Sequence, residues 1–179
     1  WYINLYGNWI NNGTFNEGFG NVRLYGSNKR IIGGNNTTTF YSLYIDVSST
    51  AYDAVELLNS TNMLVVKMLS LSDGSLEINS GAILDIGNLG ISAGAGLNLN
   101  DGNIDLTIHD TFNNLNTNYS TTQGMISNTS NTVTFDLSSS HYGINIIRCG
   151  KGTHAGTQLY SVRVNNTMDR NWELWSDML

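Results

Sequence analysis

Proline is absent from all 179 residues, against an average usage of about 5%. A residue without a backbone N–H breaks hydrogen-bonded ladders, so a chain made almost wholly of paired strands gains by excluding it. Cysteine occurs once, as Cys149. One thiol allows no internal disulfide, and the lack of a C-x-x-C pair leaves redox chemistry and a thiolate zinc site without support. A small buried hydrophobe is the expected role for Cys149. Charge is also scarce. Asp, Glu, Lys and Arg together make 12% of the chain, against roughly 25% in average soluble proteins. Only eight residues are Lys or Arg, the net charge is −6 and the pI about 4.7. That balance excludes the basic footprint needed for a phosphate backbone and disfavours anionic membrane surfaces. No apolar run reaches the roughly 18 residues of a membrane-spanning helix; the longest, "MLVVKML", is interrupted by Lys67.

What replaces charge is amide, hydroxyl and glycine. Asn makes up 26 of the 179 residues and Gly 19, so turn chemistry is dense along the whole chain. Between the turns the pattern has period two. "NIDLTIHD" places Ile104, Leu106 and Ile108 on one face; "NVRLYG" does so with Val22 and Leu24, and "FYSLYIDV" with Tyr41, Leu43, Ile45 and Val47. Such alternation predicts half-buried strands. "SDG", "NSG", "SAGAG" and "NDG" separate them. Helical spacings occur twice, in "SSTAYDAVELLNS" (48–60) and "MDRNWELWSDML" (168–179). The first reads as a short helix or an irregular excursion, the second as an amphipathic helix or a strand cap.

One phrase is written twice. "LSLSDGSLEI" starts at Leu69 and "LNLNDGNIDL" at Leu97, 28 residues later. A looser pair brackets them: Val22 with Val133, Ile31-Ile32 with Ile146-Ile147, and Tyr41-Ser42-Leu43 with Tyr160-Ser161-Val162. Self-similarity at a few tens of residues marks a repeat architecture in which each unit buries its apolar face against the next. The expected fold is all-β, a single parallel β-helix (β-solenoid) domain over 1–179, with each decamer at one corner of successive coils. Leu69, Leu71, Leu76, Ile78, Leu97, Leu99, Ile104 and Leu106 are predicted to stack inside, and Asn at the corners to form ladders between coils. A β-sandwich or jelly roll is the alternative, because Asp-Gly and Asn-Gly also serve as hairpin turns. A start at Trp1 rather than Met leads us to expect a segment of a longer chain.

The stretch "GNWINNGTFNEGFGNVRLYGSNKRIIGGNNTTTFYSLYIDV" resembles a repeat of large secreted and cell-surface proteins of the Bacteroidetes. The matching residues are Gly7, Trp9, Asn11, Gly13-Thr14-Phe15, Val22, Leu24, Gly26, Ile32, Gly33, Phe40, Leu43 and Ile45. The two decamers resemble the strand pair that follows in that family. The resemblance implies a parallel β-helix segment of an adhesin-like surface protein. It brings no catalytic residues, and the C-terminal sorting domain of many such proteins is not recognisable here.

Residues able to carry chemistry are few and scattered. Asp73, Glu77, Asp85, Asp101, Asp105 and Asp110 fall on strands and turns, and Glu77 and Asp105 occupy matching positions of the decamers. A row of outward carboxylates suits a solvated face; as a cleft-held pair it would supply the acid and base of a glycosidase. Asp73-Gly74 and Asp101-Gly102 read as corner turns, offering fewer oxygens than calcium wants. His109, His141 and His154 lack metal-ligand spacing. "GISAGAG" and "GKGTHAG" are loops rather than phosphate cradles, and no nucleophile elbow is present. Asn12-Gly-Thr and Asn59-Ser-Thr arise by chance in such a composition, and the threonines of 37–39 and 132–134 are too irregular for an ice-binding array. Aromatics crowd the first twenty residues, and Trp1, Tyr6, Trp9 and Tyr44 are the candidate binding residues. They serve either as sugar-stacking faces or as packing at a coil end.

The expected function is that of a non-enzymatic, extracellular or cell-surface β-solenoid segment, structural or adhesin-like, without cofactor or metal. Its expected partners are other protein segments or surface glycans, with self-association through coil ends. A polysaccharide-binding or polysaccharide-degrading β-helix and a subunit of an extracellular filament are the alternatives.

Overall fold

The computed structural model describes residues 1–48, 55–92, 94–99, 104–114, 124–126, 132–136, 146–149, 157–158 and 162–165, with side chains up to His109 except those of Asp105 and the gaps. Every regular element among them is a strand. In chain order these are β1 (Tyr2–Leu5), β2 (Trp9–Ile10), β3 (Asn21–Gly26), β4 (Arg30–Gly33), β5 (Thr38–Val47), β6 (Val55–Leu57), β7 (Asn62–Asp73) and β8 (Ser75–Ile78). They continue as β9 (Ile83–Ile91), β10 (Gly96–Asn98), β11 (Asp105–Asn114), β12 (Gly124–Ile126), β13 (Thr132–Asp136), β14 (Ile146–Cys149), β15 (Thr157–Gln158) and β16 (Val162–Asn165).

One sheet runs β1-β3-β5-β7-β9-β11-β13-β16, with β14 also on β11; the second runs β2-β4-β6-β8-β10-β12-β15. All pairs are parallel. The chain passes from sheet to sheet and returns one strand further along, a β-solenoid of about five turns. Parallel pairing throughout removes the sandwich alternative, whose hairpins need antiparallel neighbours. Over Val55–Leu57 the helical spacing gives way to strand β6, held in register between β4 and β8. Two sheet neighbours and a buried face at Val55 and Leu57 outweigh a weak local propensity. The rest of that expectation, 49–54, and all of 168–179 lie outside the described residues.

The core is an aliphatic stack. Val22, Leu43, Leu69 and Leu89 pair in sequence across the first sheet; Val55, Leu76 and Leu97 do so across the second. All eight predicted inward aliphatics are at most 1% exposed. Each such side chain contributes about 1.5–3 kcal/mol by leaving water.

Register shifts divide the long first-sheet strands in two. They fall between Val65 and Met68 of β7 and between Ile108 and Thr111 of β11, so that β7 and β11 each place two residues opposite the single Gly87 of β9. A bulge of this kind adds one residue to the strand and bends it. Along β7 the buried set steps from Met63 and Val65 to Leu69 and Leu71. One coil therefore holds three segments: the first half of a first-sheet strand, its second half, and a second-sheet strand.

That division corrects the reading of the repeats. Leu69 pairs with Leu89 and Leu76 with Leu97, so a coil takes 20 or 21 residues here. The 28-residue offset is one coil plus one segment. The first decamer joins the second half of β7 to β8; the second joins β10 to β11. They span neighbouring corners of the coil, not the same one. The looser matches are likewise out of phase. Val22 belongs to the row of Leu43 and Leu69, whereas Val133 and Val162 share a row with Leu106. Ile31-Ile32 lies in the second sheet and Ile146-Ile147 in the first. All three segments demand the same in-out-in strand and a tight corner, so their sequences are interchangeable. It follows that Glu77, in β8, and Asp105, in β11, are not equivalent; they belong to different sheets.

Asparagine does link the coils, chiefly through backbone rather than amide-on-amide stacks. Asn8 Oδ1 accepts from Ile31 N (3.1 Å), Asn12 Oδ1 from Asn35 N (3.1 Å), and Asn36 Nδ2 donates to Gly13 O (3.0 Å). Each rung spans 23 residues. Asn11 is buried, donates to Thr37 O (3.1 Å) and accepts from Gly13 N (3.1 Å). Gly34 packs against it at φ +122°, where a Cβ would stand 2.2 Å from Asn11 O. Amides satisfy neighbouring backbone without the repulsion that stacked charges would bring.

Candidate binding face

Along the second half of each first-sheet strand, alternate residues point outward. In register these are Asn4, Arg23, Tyr44 and Ser70 on successive strands, with Tyr25 beside Asp46. Tyr2 stacks on Tyr44 (centroids 6.3 Å, planes 29° apart), and Tyr6 meets Tyr25 edge-on at 5.2 Å. Between them Arg23 Nη2 donates to Asp46 Oδ2, while its guanidinium lies 4.7 Å from the Tyr25 ring centroid. Asp46 holds the Arg23 guanidinium still more firmly protonated than usual. Burial, and secondarily the phenol of Tyr2, push the Tyr44 hydroxyl above its ordinary range. The strip ends after three coils, where Ser70 and Gly90 follow Tyr44 in register.

The four predicted binding residues therefore divide. Tyr6 and Tyr44 share this outer strip. Trp9 instead packs towards the core: its ring lies 4.7 Å from Phe15 and 5.0 Å from Phe40, and Nε1 donates to Thr38 Oγ1 at 3.3 Å. Trp1 remains 58% exposed, edge-on to Phe15 at 6.4 Å. Sequence reading missed Tyr25 and the Arg23–Asp46 pair. Their signal was a spacing of 23 residues, near one coil, between outward positions of opposite charge.

The carboxylates are dispersed. Asp85 Oδ1 lies 2.6 Å from His109 Nε2, across 24 residues. Asp85 also borders a shallow groove of about 230 Å³ lined by Thr37, Asn62, Met63, Leu64 and Ile83. Asp105 pairs with Ile83 in the neighbouring strand. Glu77 stands next to Glu56 in the second sheet; Glu56 is paired with Lys29 Nζ (2.8 Å) and accepts a hydrogen bond from Asn79 Nδ2 (2.6 Å). Asp73 accepts from Gly74 N at 2.9 Å, as a turn residue does. Of the threonine run, Thr38 is buried and only its neighbours face out. Asp101, His141 and His154, and the side chains of Asp105, Asp110, Cys149, Thr132 and Thr134, lie outside the described residues. Among the described residues no three His, Cys, Asp or Glu side chains group closely enough to hold a metal, and no helix is long and apolar enough to cross a membrane.

No protein-family model, curated protein or solved structure matches this chain.

Proposed function

We propose that the chain is a non-enzymatic β-solenoid segment displayed outside the cell or on its surface, working as an adhesin-like or structural element. One observation carries this reading. Among the described residues, outward polar side chains pair between neighbouring coils, as Asn rungs, Arg23–Asp46, Lys29–Glu56 and Asp85–His109. Such a stack is a rigid rod that presents outward side chains along its lateral faces. The low charge and amide-rich surface agree with this role, as does the resemblance to Bacteroidetes surface repeats.

The test is incubation of the purified chain with soluble and insoluble polysaccharides, reading retention and new reducing ends together. Unchanged reducing ends are expected. Cleavage, abolished by Asp85→Asn, would refute the non-enzymatic reading and favour a polysaccharide-degrading β-helix.

A further inference from the structure

We propose that the tyrosine strip over the first three coils is a contact surface for a neutral polysaccharide. The proposal rests on the surface-display reading and names what that surface meets. Tyr2, Tyr6 and Tyr25 are 60%, 65% and 38% exposed. Exposed aromatic groups gathered on one face mark interaction sites far more often than single scattered ones do. With Tyr44 these rings brace one another in pairs, Tyr2 on Tyr44 and Tyr6 on Tyr25, over a hydrogen-bonded parallel sheet. Little side-chain entropy is then lost when a ligand lies on them. A tyrosine offers an apolar ring face and a hydroxyl that both gives and accepts hydrogen bonds. A pyranose presents the complementary set: a C–H face and a rim of hydroxyls.

Charge selects the class. Arg23 and Asp46 neutralise each other, and Lys67, the cation that also acts on Tyr44, lies over the Tyr41 ring, 5.5 Å from its centroid. The chain as a whole carries −6 and repels acidic polymers. The remaining outward neighbours are Asn4, Asn21 and Ser70, donors and acceptors suited to hydroxyls. The strip covers two strand spacings, about 10 Å, by the four residue steps from Tyr2 to Tyr6, about 13 Å. That is a platform for a short run of sugar rings rather than a pocket for one.

Affinity gel electrophoresis tests this with the intact chain and five probes: a soluble β-1,4-glucan, an α-mannan, a galactan, chitin oligosaccharides coupled to the gel, and polygalacturonate. Retardation by at least one neutral polymer is expected, and none by polygalacturonate. The double variants Y2A/Y44A and Y6A/Y25A should each weaken it at least tenfold. Asn12→Ala, at the exposed rung to Asn35 beyond β2 and away from the strip, should leave it unchanged, with far-UV circular dichroism confirming that all variants fold. No retardation by any neutral polymer, retardation that survives both tyrosine variants, or preference for polygalacturonate would each overturn the proposal. None of these results would touch the non-enzymatic reading, which falls only if reducing ends appear.

Discussion

Gly87 and Gly90 sit three residues apart on β9, and the same substitution should have opposite consequences at the two. Neither has a positive φ, so an alanine is tolerated by the backbone at both. The difference is space. A Cβ on Gly87 would lie 2.4 Å from Val66 O and 3.1 Å from Lys67 O, the carbonyls of the β7 bulge. These are backbone atoms of a paired strand and cannot swing aside. Overpacking of a closed site costs about 1–3 kcal/mol. Moving the bulge also strains the bond from Asn88 Nδ2 to Lys67 O, 2.7 Å, worth about 0.5–1.5 kcal/mol. Gly87→Ala should thus destabilise by about 2–4 kcal/mol, a drop in Tm of roughly 4–16 °C for a domain of this size. At Gly90 the nearest atom is Met68 Cε at 3.9 Å, ordinary contact with a flexible tip. There alanine should be neutral or stabilise by up to about 1 kcal/mol, because it restricts the unfolded chain. Urea unfolding followed by tryptophan fluorescence and circular dichroism provides the comparison. Coil stacks can unfold in parts, so the two signals must coincide for the numbers to be used. If the two variants agree within about 0.5 kcal/mol, the bulge is not the close approach described here.

Two further outcomes follow from individual side chains. Asn11→Ala removes the two hydrogen bonds of a buried side chain and should cost about 1–3 kcal/mol, whereas Asn12→Ala, at an exposed rung, should stay within about 0.5 kcal/mol; the same unfolding assay separates them. The raised pKa of Tyr44 binds its proton more tightly when folded than unfolded, where the phenol ionises near 10.0. Its contribution to stability is thus fully present below that pH and is lost as pH rises through the higher folded value. Tyr44→Phe should flatten that alkaline decline, and a spectrophotometric titration should show one tyrosine fewer ionising late.

The sheet content, the parallel stack and the inward aliphatics were legible because period-two patterning and turn residues are local properties. The eight aliphatics named from the two decamers are all buried. Phase around the coil was not legible. Three segments with one shared requirement produce sequences that match across unlike positions, so Leu69 resembles Leu97 yet pairs with Leu89. Val55–Leu57 shows the same limit, since two neighbouring strands decide a segment whose own spacing is helical. The aromatic cluster was visible as composition, but its division was not. Trp9 turns towards Phe15 and Phe40, while Tyr2, Tyr6, Tyr25 and Tyr44 turn outward, because facing depends on register and bulge position.

By itself the sequence determined a proline-free, weakly charged chain of short alternating strands that must bury its apolar face against copies of itself. Only the tertiary structure decided which residues meet across a coil, Arg23 with Asp46 and Asp85 with His109. Such partners lie 23 and 24 residues apart along the chain, and the bulges and corner loops that set this distance add or remove a residue from coil to coil.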